Sequence, residues 1–213
     1  MEERNSFQYR KCIVTLVLLG INVLVYLCCI YAERVMYHDK TLAEEIYNIG
    51  SMNAERVMSN GEYYRFITSM FMHGSISHIV SNMIFLVALG EMLERVIGHV
   101  RFVLLYFLSG IGGGIFSMIN VVLSQDFYTA IGASGAIFGL IGAMLVLVII
   151  HDGHYAGISI KRMVFAIVYM VYSGMQSEGI DNAAHFGGLV FGVLIMTAMY
   201  VIDSGRLRLQ GRK

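Results

Sequence analysis

Long apolar runs alternate with shorter polar segments along most of the chain. A helix that crosses a bilayer needs roughly 20 mostly apolar residues, and six runs reach or approach that length. They cover residues 12–32, 77–96, 102–124, 134–150, 163–175 and 183–202. The fourth and fifth of these runs are the shortest. The pattern predicts an all-α membrane protein, built as a bundle of six transmembrane helices.

The longest polar segment, residues 33–76, mixes acidic and basic side chains and separates the first two runs. We expect this outer loop to fold as short helices at the membrane surface. Residues 1–11 and 203–213 flank the apolar part as short tails, and the second tail is basic. The expected organisation is a membrane domain over residues 12–202 with a cytoplasmic tail at each end.

The composition supports a membrane protein and excludes several other classes. Hydrophobic residues make up 57% of the chain and charged residues only 14%, whereas soluble domains carry about 25% charge. No basic face points to nucleic acid. The spacing of Cys12, Cys28 and Cys29 fits neither a zinc site nor a disulfide framework. No metal or organic cofactor is implied.

The distribution of positive charge predicts the orientation in the membrane. Segments with Lys and Arg tend to stay in the cytoplasm. The loops 125–133 and 176–182 contain Asp and Glu but no Lys or Arg. Basic residues lie at the opposite ends of the runs, at Arg4, Arg10, Lys11, Arg95, Arg101, Lys161, Arg162, Arg206, Arg208, Arg212 and Lys213. Both termini are therefore expected in the cytoplasm, and runs two, four and six begin at the outer face.

Two polar residues lie where apolar runs begin. Ser134 stands between Gly132 and Gly135 at the start of run four, and His185 lies early in run six. A serine with a histidine available as base is a candidate nucleophile, and neutral imidazole can accept its proton near pH 7. A helix-capping serine and a histidine that only joins two helices would explain the same residues.

His78 and Asn82 lie four residues apart on one face of run two, in the same outer leaflet as the first pair. Side chains of these types can donate hydrogen bonds to an oxyanion, and a buried pair that stabilises the helix is the alternative. Asp181 precedes His185 by four residues but is expected in the loop above the membrane. The sequence therefore favours a Ser–His dyad over a triad.

Glycines at helical spacing predict that runs four and six pack closely. Gly135, Gly139 and Gly142 share one helix face, as do Gly188 and Gly192. Small residues at these intervals allow helices in lipid to approach each other. Such a contact would bring the beginnings of the two runs together, although general helix packing would use the same pattern.

Together these motifs resemble those of the rhomboid intramembrane serine proteases, over about residues 61–192. The family's His-x4-His-x3-Asn segment is matched by His73, His78 and Asn82. Its Gly-x-Ser-Gly motif is matched by Gly132-Ala133-Ser134-Gly135, and its last-span pattern by Ala184-His185 with Gly188 and Gly192. Three motifs in this order are far more specific than each one alone.

The resemblance implies a six-helix rhomboid-like fold with Ser134 as nucleophile and His185 as base. His78, Asn82 and the backbone N–H of Ser134 would form the oxyanion hole. The implied activity is cleavage of single-span membrane proteins in or near the bilayer, with small residues favoured before the cut. Phe138 lies where well-known bacterial members have a tyrosine that packs on the histidine. A bacterial plasma membrane is the implied location.

Two alternatives are weighed against an active protease. A catalytically inactive rhomboid-like protein could bind membrane proteins, but such proteins typically lose the serine or the histidine, and both are present. A small transporter could line a polar path with His78, Asn82 and His185. However, no polar residues continue such a path through the inner leaflet.

Overall fold

A computed structural model of the protein describes residues 11–35, 40–176 and 179–210. The elements in chain order are α1 (Ile13–Val35), α2 (Lys40–Gly50), β1 (Met52–Asn53), α3 (Ala54–Asn60), α4 (Arg65–Thr68), α5 (Ile76–Ile97), α6 (His99–Ser124), β2 (Thr129–Ala130), α7 (Ser134–Ile150), β3 (His154–Tyr155), β4 (Ile158–Ser159), α8 (Ile160–Gln176) and α9 (Asn182–Gln210). A 3₁₀ turn, Ser69–Phe71, follows α4.

The six predicted runs all form helices, and the fold class is confirmed. By length and composition, α1, α5, α6 and α9 are long and apolar enough to cross a membrane, while α7 is a shorter apolar helix. Both α7 and α8 have 17 residues, at the lower limit for a span. At its far end α9 continues past residue 202 to Gln210, so residues 203–210, expected in the basic tail, lie within the last helix.

Helix α7 lies at the centre of the bundle, buried on nearly all sides. It contains no charged residue, and a helix that is apolar all round is stable only when it is enclosed. It packs against α9, α6 and α5. A Cβ added at Gly188 or Gly192 would lie 1.9 Å from the carbonyl oxygen of Gly135 or Gly139, respectively. The predicted close approach of the two helices is therefore present, with backbone against backbone.

Polar side chains join the helices at the end of the bundle remote from Ser134. The Glu94 carboxylate is 1% exposed and accepts hydrogen bonds from the Val14 and Thr15 N–H groups at 2.9 and 2.8 Å. It therefore caps the start of α1, because the first N–H groups of a helix have no partner inside the helix. Arg101 binds both carboxylate oxygens of Asp203, at 2.6 and 2.8 Å. These contacts join α1 to α5 and α6 to α9 at that end of the bundle.

The segment between α1 and α5 folds over the other end of the bundle. Buried Arg65 donates hydrogen bonds to the carbonyl oxygens of Asn48 and Ser51, both at 2.7 Å, and so holds the end of α2. Strand β1 then pairs antiparallel with β2, with Met52 opposite Ala130. Because β2 ends four residues before Ser134, the outer segment supports the backbone that leads into the candidate nucleophile.

Candidate active site

Ser134 and His185 meet where α7 and α9 begin. Ser134 is the first residue of α7, and His185 lies in the first turn of α9. The side chains are 3.0 Å apart between Ser134 Oγ and His185 Nε2, which is hydrogen-bond distance. In the tautomer with its proton on Nδ1, the imidazole accepts the hydroxyl proton of the serine. This is the geometry that a serine nucleophile and its base require.

The His185 ring is held by an aromatic side chain and not by a carboxylate. Phe138, one turn after Ser134, stacks on it with ring centroids 4.2 Å apart and planes 10° from parallel. Within the described part of the chain, His185 Nδ1 has no hydrogen-bond partner. Asp181 instead accepts hydrogen bonds from the Ala184 N–H, at 2.9 Å, and from the Ser117 hydroxyl. The geometry is that of a Ser–His pair without a third member.

Gly132 provides the space in front of the serine. Its φ of +122° lies in a region that favours glycine, and its N–H donates to the Ser69 carbonyl oxygen at 2.8 Å. A Cβ here would lie 2.7 Å from His78 Nε2, so no larger residue fits without moving the imidazole. At Gly135 a Cβ would stand 3.6 Å from the Ala184 carbonyl oxygen, an ordinary contact. The first glycine therefore carries the stronger local requirement.

His78 and Asn82 face the same cavity as Ser134 and His185. Its volume is about 1230 Å³, and its lining includes exposed Ser75. The lining therefore reaches the protein surface, as access of water requires. The Asn82 side-chain amide donates to the His78 carbonyl oxygen at 3.0 Å. This bond lies within one helix and uses one of the two N–H donors of the amide, which leaves the other for a further acceptor.

His73 lies behind His78 and is fully buried. The two imidazole rings meet edge to face with centroids 5.0 Å apart. Burial first and the neighbouring His78 second, against a backbone hydrogen bond at Phe71, lower the pKa of His73 to about 4. His73 is therefore neutral at pH 7. The Tyr47 hydroxyl donates a hydrogen bond to the carbonyl oxygen of His73 at 2.7 Å. This bond joins the outer segment to the site.

Some residues beside the site escaped the sequence analysis. Ser117, in the middle of α6, and Tyr128, in the connection to β2, both lie near the carboxylate of Asp181. Their only sequence signal is a polar side chain in or beside an apolar run. That signal does not identify the partner residue, which for Ser117 lies 64 positions further along the chain.

Comparison of the chain with known proteins identifies its family. A family model described as the Rhomboid domain matches residues 60–201. The rhomboid protease AarA of Providencia stuartii is 29% identical over 216 residues, covering 92% of this chain and 74% of that protein. The rhomboid protease GluP of Bacillus subtilis is 32% identical over 168 residues, covering 74% of this chain and 32% of that protein.

Plant proteins also match. RHOMBOID-like protein 5 of Arabidopsis thaliana is 36% identical over 142 residues, covering 66% of this chain and 45% of that protein. This chain spans less than half of the length of several curated plant relatives. The match to the family model includes the whole candidate site, from His73 to Gly192. The chain therefore belongs to the rhomboid family.

Proposed function

We propose that this protein is an intramembrane serine endopeptidase that cleaves single-span membrane proteins in or near the bilayer. The observation that carries the proposal is the 3.0 Å contact between Ser134 Oγ and His185 Nε2. It lies beside a cavity with polar and apolar lining residues at one end of a bundle of apolar helices. The names of the bacterial relatives AarA and GluP, which describe them as rhomboid proteases, support the same activity.

In the proposed reaction, Ser134 Oγ attacks the scissile carbonyl carbon while His185 Nε2 takes the hydroxyl proton. The imidazolium then gives this proton to the leaving amine, and the peptide C–N bond breaks. Water, deprotonated by His185, hydrolyses the acyl-enzyme and frees the serine. The oxyanion receives hydrogen bonds from the backbone N–H of Ser134, which is free at a helix start, and from His78 and Asn82.

Neither alternative explains the site as well. A rhomboid-like binding protein needs no hydrogen bond between a serine and a histidine, yet that contact is formed. A transporter needs a polar path through the bundle. The described residues that line the cavity include Ser134, Ile137 and Phe138 in the first turns of α7, and Tyr169 and Met170 near the middle of α8. The remainder of α7 is apolar and mostly buried.

The proposed setting is the plasma membrane of a bacterium, with both termini in the cytoplasm. The Lys and Arg distribution supports this orientation, and AarA and GluP are bacterial proteins. The partners are transmembrane substrate proteins and the lipid bilayer, without nucleic acid.

Reaction with a serine-directed phosphonate tests the proposed function. The protein is reconstituted in liposomes with a single-span protein that carries small residues at the outer end of its span. We expect the phosphonate to label the peptide that contains Ser134 and to block cleavage. His185→Ala should lose both reactions, because the serine then lacks its base, while His154→Ala, in the distant hairpin of β3 and β4, should keep them. Full cleavage by the His185 variant would contradict the proposal.

The oxyanion hole can be tested separately. His78→Ala and Asn82→Ala should each lower kcat by about 10²–10³-fold, the usual cost of one oxyanion donor, with a smaller change in KM. Asn60→Ala, an exposed asparagine at the end of α3, is the matched control and should behave as the unmodified protein. Steady-state cleavage rates with the liposome substrate measure both constants. An unchanged kcat in the two variants would remove these side chains from the hole.

A further inference from the structure

Three polar side chains meet beside the start of α9, outside the pair of Ser134 and His185. The Ser117 hydroxyl donates to one carboxylate oxygen of Asp181, and the other oxygen accepts the Ala184 N–H at 2.9 Å. The Tyr128 hydroxyl lies near both side chains, and burial raises the pKa of Tyr128. This phenol therefore keeps its proton at neutral pH and is a donor. The proposed reaction uses none of these groups.

Asp181 occupies the N-cap position of α9, where aspartate is strongly preferred. Its side chain holds the N–H of Ala184, and its backbone carbonyl oxygen accepts the N–H of His185 at 3.2 Å. One residue therefore binds two successive N–H groups, and the second belongs to the candidate base. This cap therefore helps to set the direction in which the His185 side chain projects from α9.

The bond to Ser117 fixes the cap relative to α6. Ser117 is 2% exposed, and a buried hydroxyl is costly unless it is hydrogen-bonded, which the half-buried carboxylate of Asp181 provides. At this level α6 touches the first turn of α9 directly, because a Cβ at Gly113 would lie 2.8 Å from the Ala184 carbonyl oxygen. The bond therefore prevents the first turn of α9 from sliding along α6.

We propose that Asp181 is a positioning residue for the reaction. It anchors the first turn of α9 to α6 through Ser117 and so keeps His185 Nε2 within hydrogen-bond distance of Ser134 Oγ. The inference rests on the proposed function. Asp181 is not a third member of a triad, because its carboxylate oxygens bind Ser117 and Ala184. Within the described residues, its carboxylate binds the backbone of α9 and the side chain of Ser117 and makes no hydrogen bond to the imidazole ring.

The experiment compares the rate of phosphonate reaction per folded protein, kcat and KM for four variants of the full chain in liposomes. Asp181→Ala should slow both phosphonate reaction and kcat on the order of 10²-fold, as expected for a displacement near 1 Å, with KM within about twofold. Asp181→Asn, which keeps an oxygen for the Ala184 N–H, should recover most of the loss. Ser117→Ala should slow both rates by about 10-fold, as expected for loss of one hydrogen bond to a charged group.

The matched control is Glu55→Ala, which removes an exposed acid from the first turn of α3 and should change neither rate. An unmodified protein that neither reacts nor cleaves would overturn the proposed function and this inference with it. If the unmodified protein is active, a normal phosphonate rate in Asp181→Ala would overturn the inference alone. A lower melting temperature or a raised KM in that variant would not change this conclusion. If Asp181→Ala does not fold, the test uses Ser117→Ala and Asp181→Asn instead. Normal rates in both of these variants would overturn the inference.

Discussion

Replacement of Ser134 by alanine is expected to abolish both cleavage and phosphonate labelling while the fold is retained. The change removes one oxygen from a half-buried side chain at the first turn of α7, so the packing of the bundle is preserved. Loss of a serine nucleophile lowers kcat on the order of 10⁶-fold, because the group that attacks the scissile carbonyl carbon is then absent. No residual turnover should be measurable.

The measurement pairs mass spectrometry of the labelled peptide with cleavage of the liposome substrate. Ser124→Ala, at the exposed end of α6, is the matched control because it also removes one hydroxyl, yet it lies outside the cavity lining. The control should be labelled and should cleave at the normal rate. Cleavage by Ser134→Ala at a comparable rate would show that another group is the nucleophile and would end the proposed mechanism.

Alanine at Gly188 or Gly192 is expected to lower both stability and activity. The added Cβ would lie 1.9 Å from a carbonyl oxygen of α7, far inside van der Waals contact, and both partners are backbone atoms that no rotamer change can move. The helices must therefore separate by more than an ångström. Overpacking of this kind costs about 1–3 kcal/mol, and displacement of a catalytic base by about 1 Å lowers kcat on the order of 10²-fold.

Gly20→Ala is the matched control for these variants. Gly20 lies on the exposed side of α1, and a Cβ there would meet nothing within 4 Å. Thermal unfolding in detergent and the phosphonate rate should stay normal in this variant and fall in the other two. Normal melting and a normal rate for Gly188→Ala would show that α7 and α9 do not depend on this contact to align Ser134 with His185.

The parts of the site that local sequence patterns can encode were predictable. Ser134 and His185 are polar residues at the beginnings of apolar runs, and the glycines recur at the helical period on α7 and α9. Because both patterns depend only on spacing within one helix, they locate the helices, their close approach and the ends at which the two side chains lie. The distance of 3.0 Å between them needed the structure.

Contacts between distant segments were not predictable in this way. The pairing of β1 with β2 joins strands of two residues each, too short to leave an alternating pattern. The bond between Ser117 and Asp181 depends on the depth at which α6 crosses α9, which neither segment encodes alone. The bond of the Asn82 amide to the carbonyl oxygen of His78 lies within one helix, but it depends on the side-chain rotamer, which residue spacing does not encode.

The cavity beside Ser134 reaches the surface at the end of the bundle opposite the bonds of Glu94 and Arg101. In the proposed orientation, protons and water enter this cavity from outside the cell. The acidity outside the cell, and not that of the cytoplasm, then determines how much of the imidazole is free to act as a base.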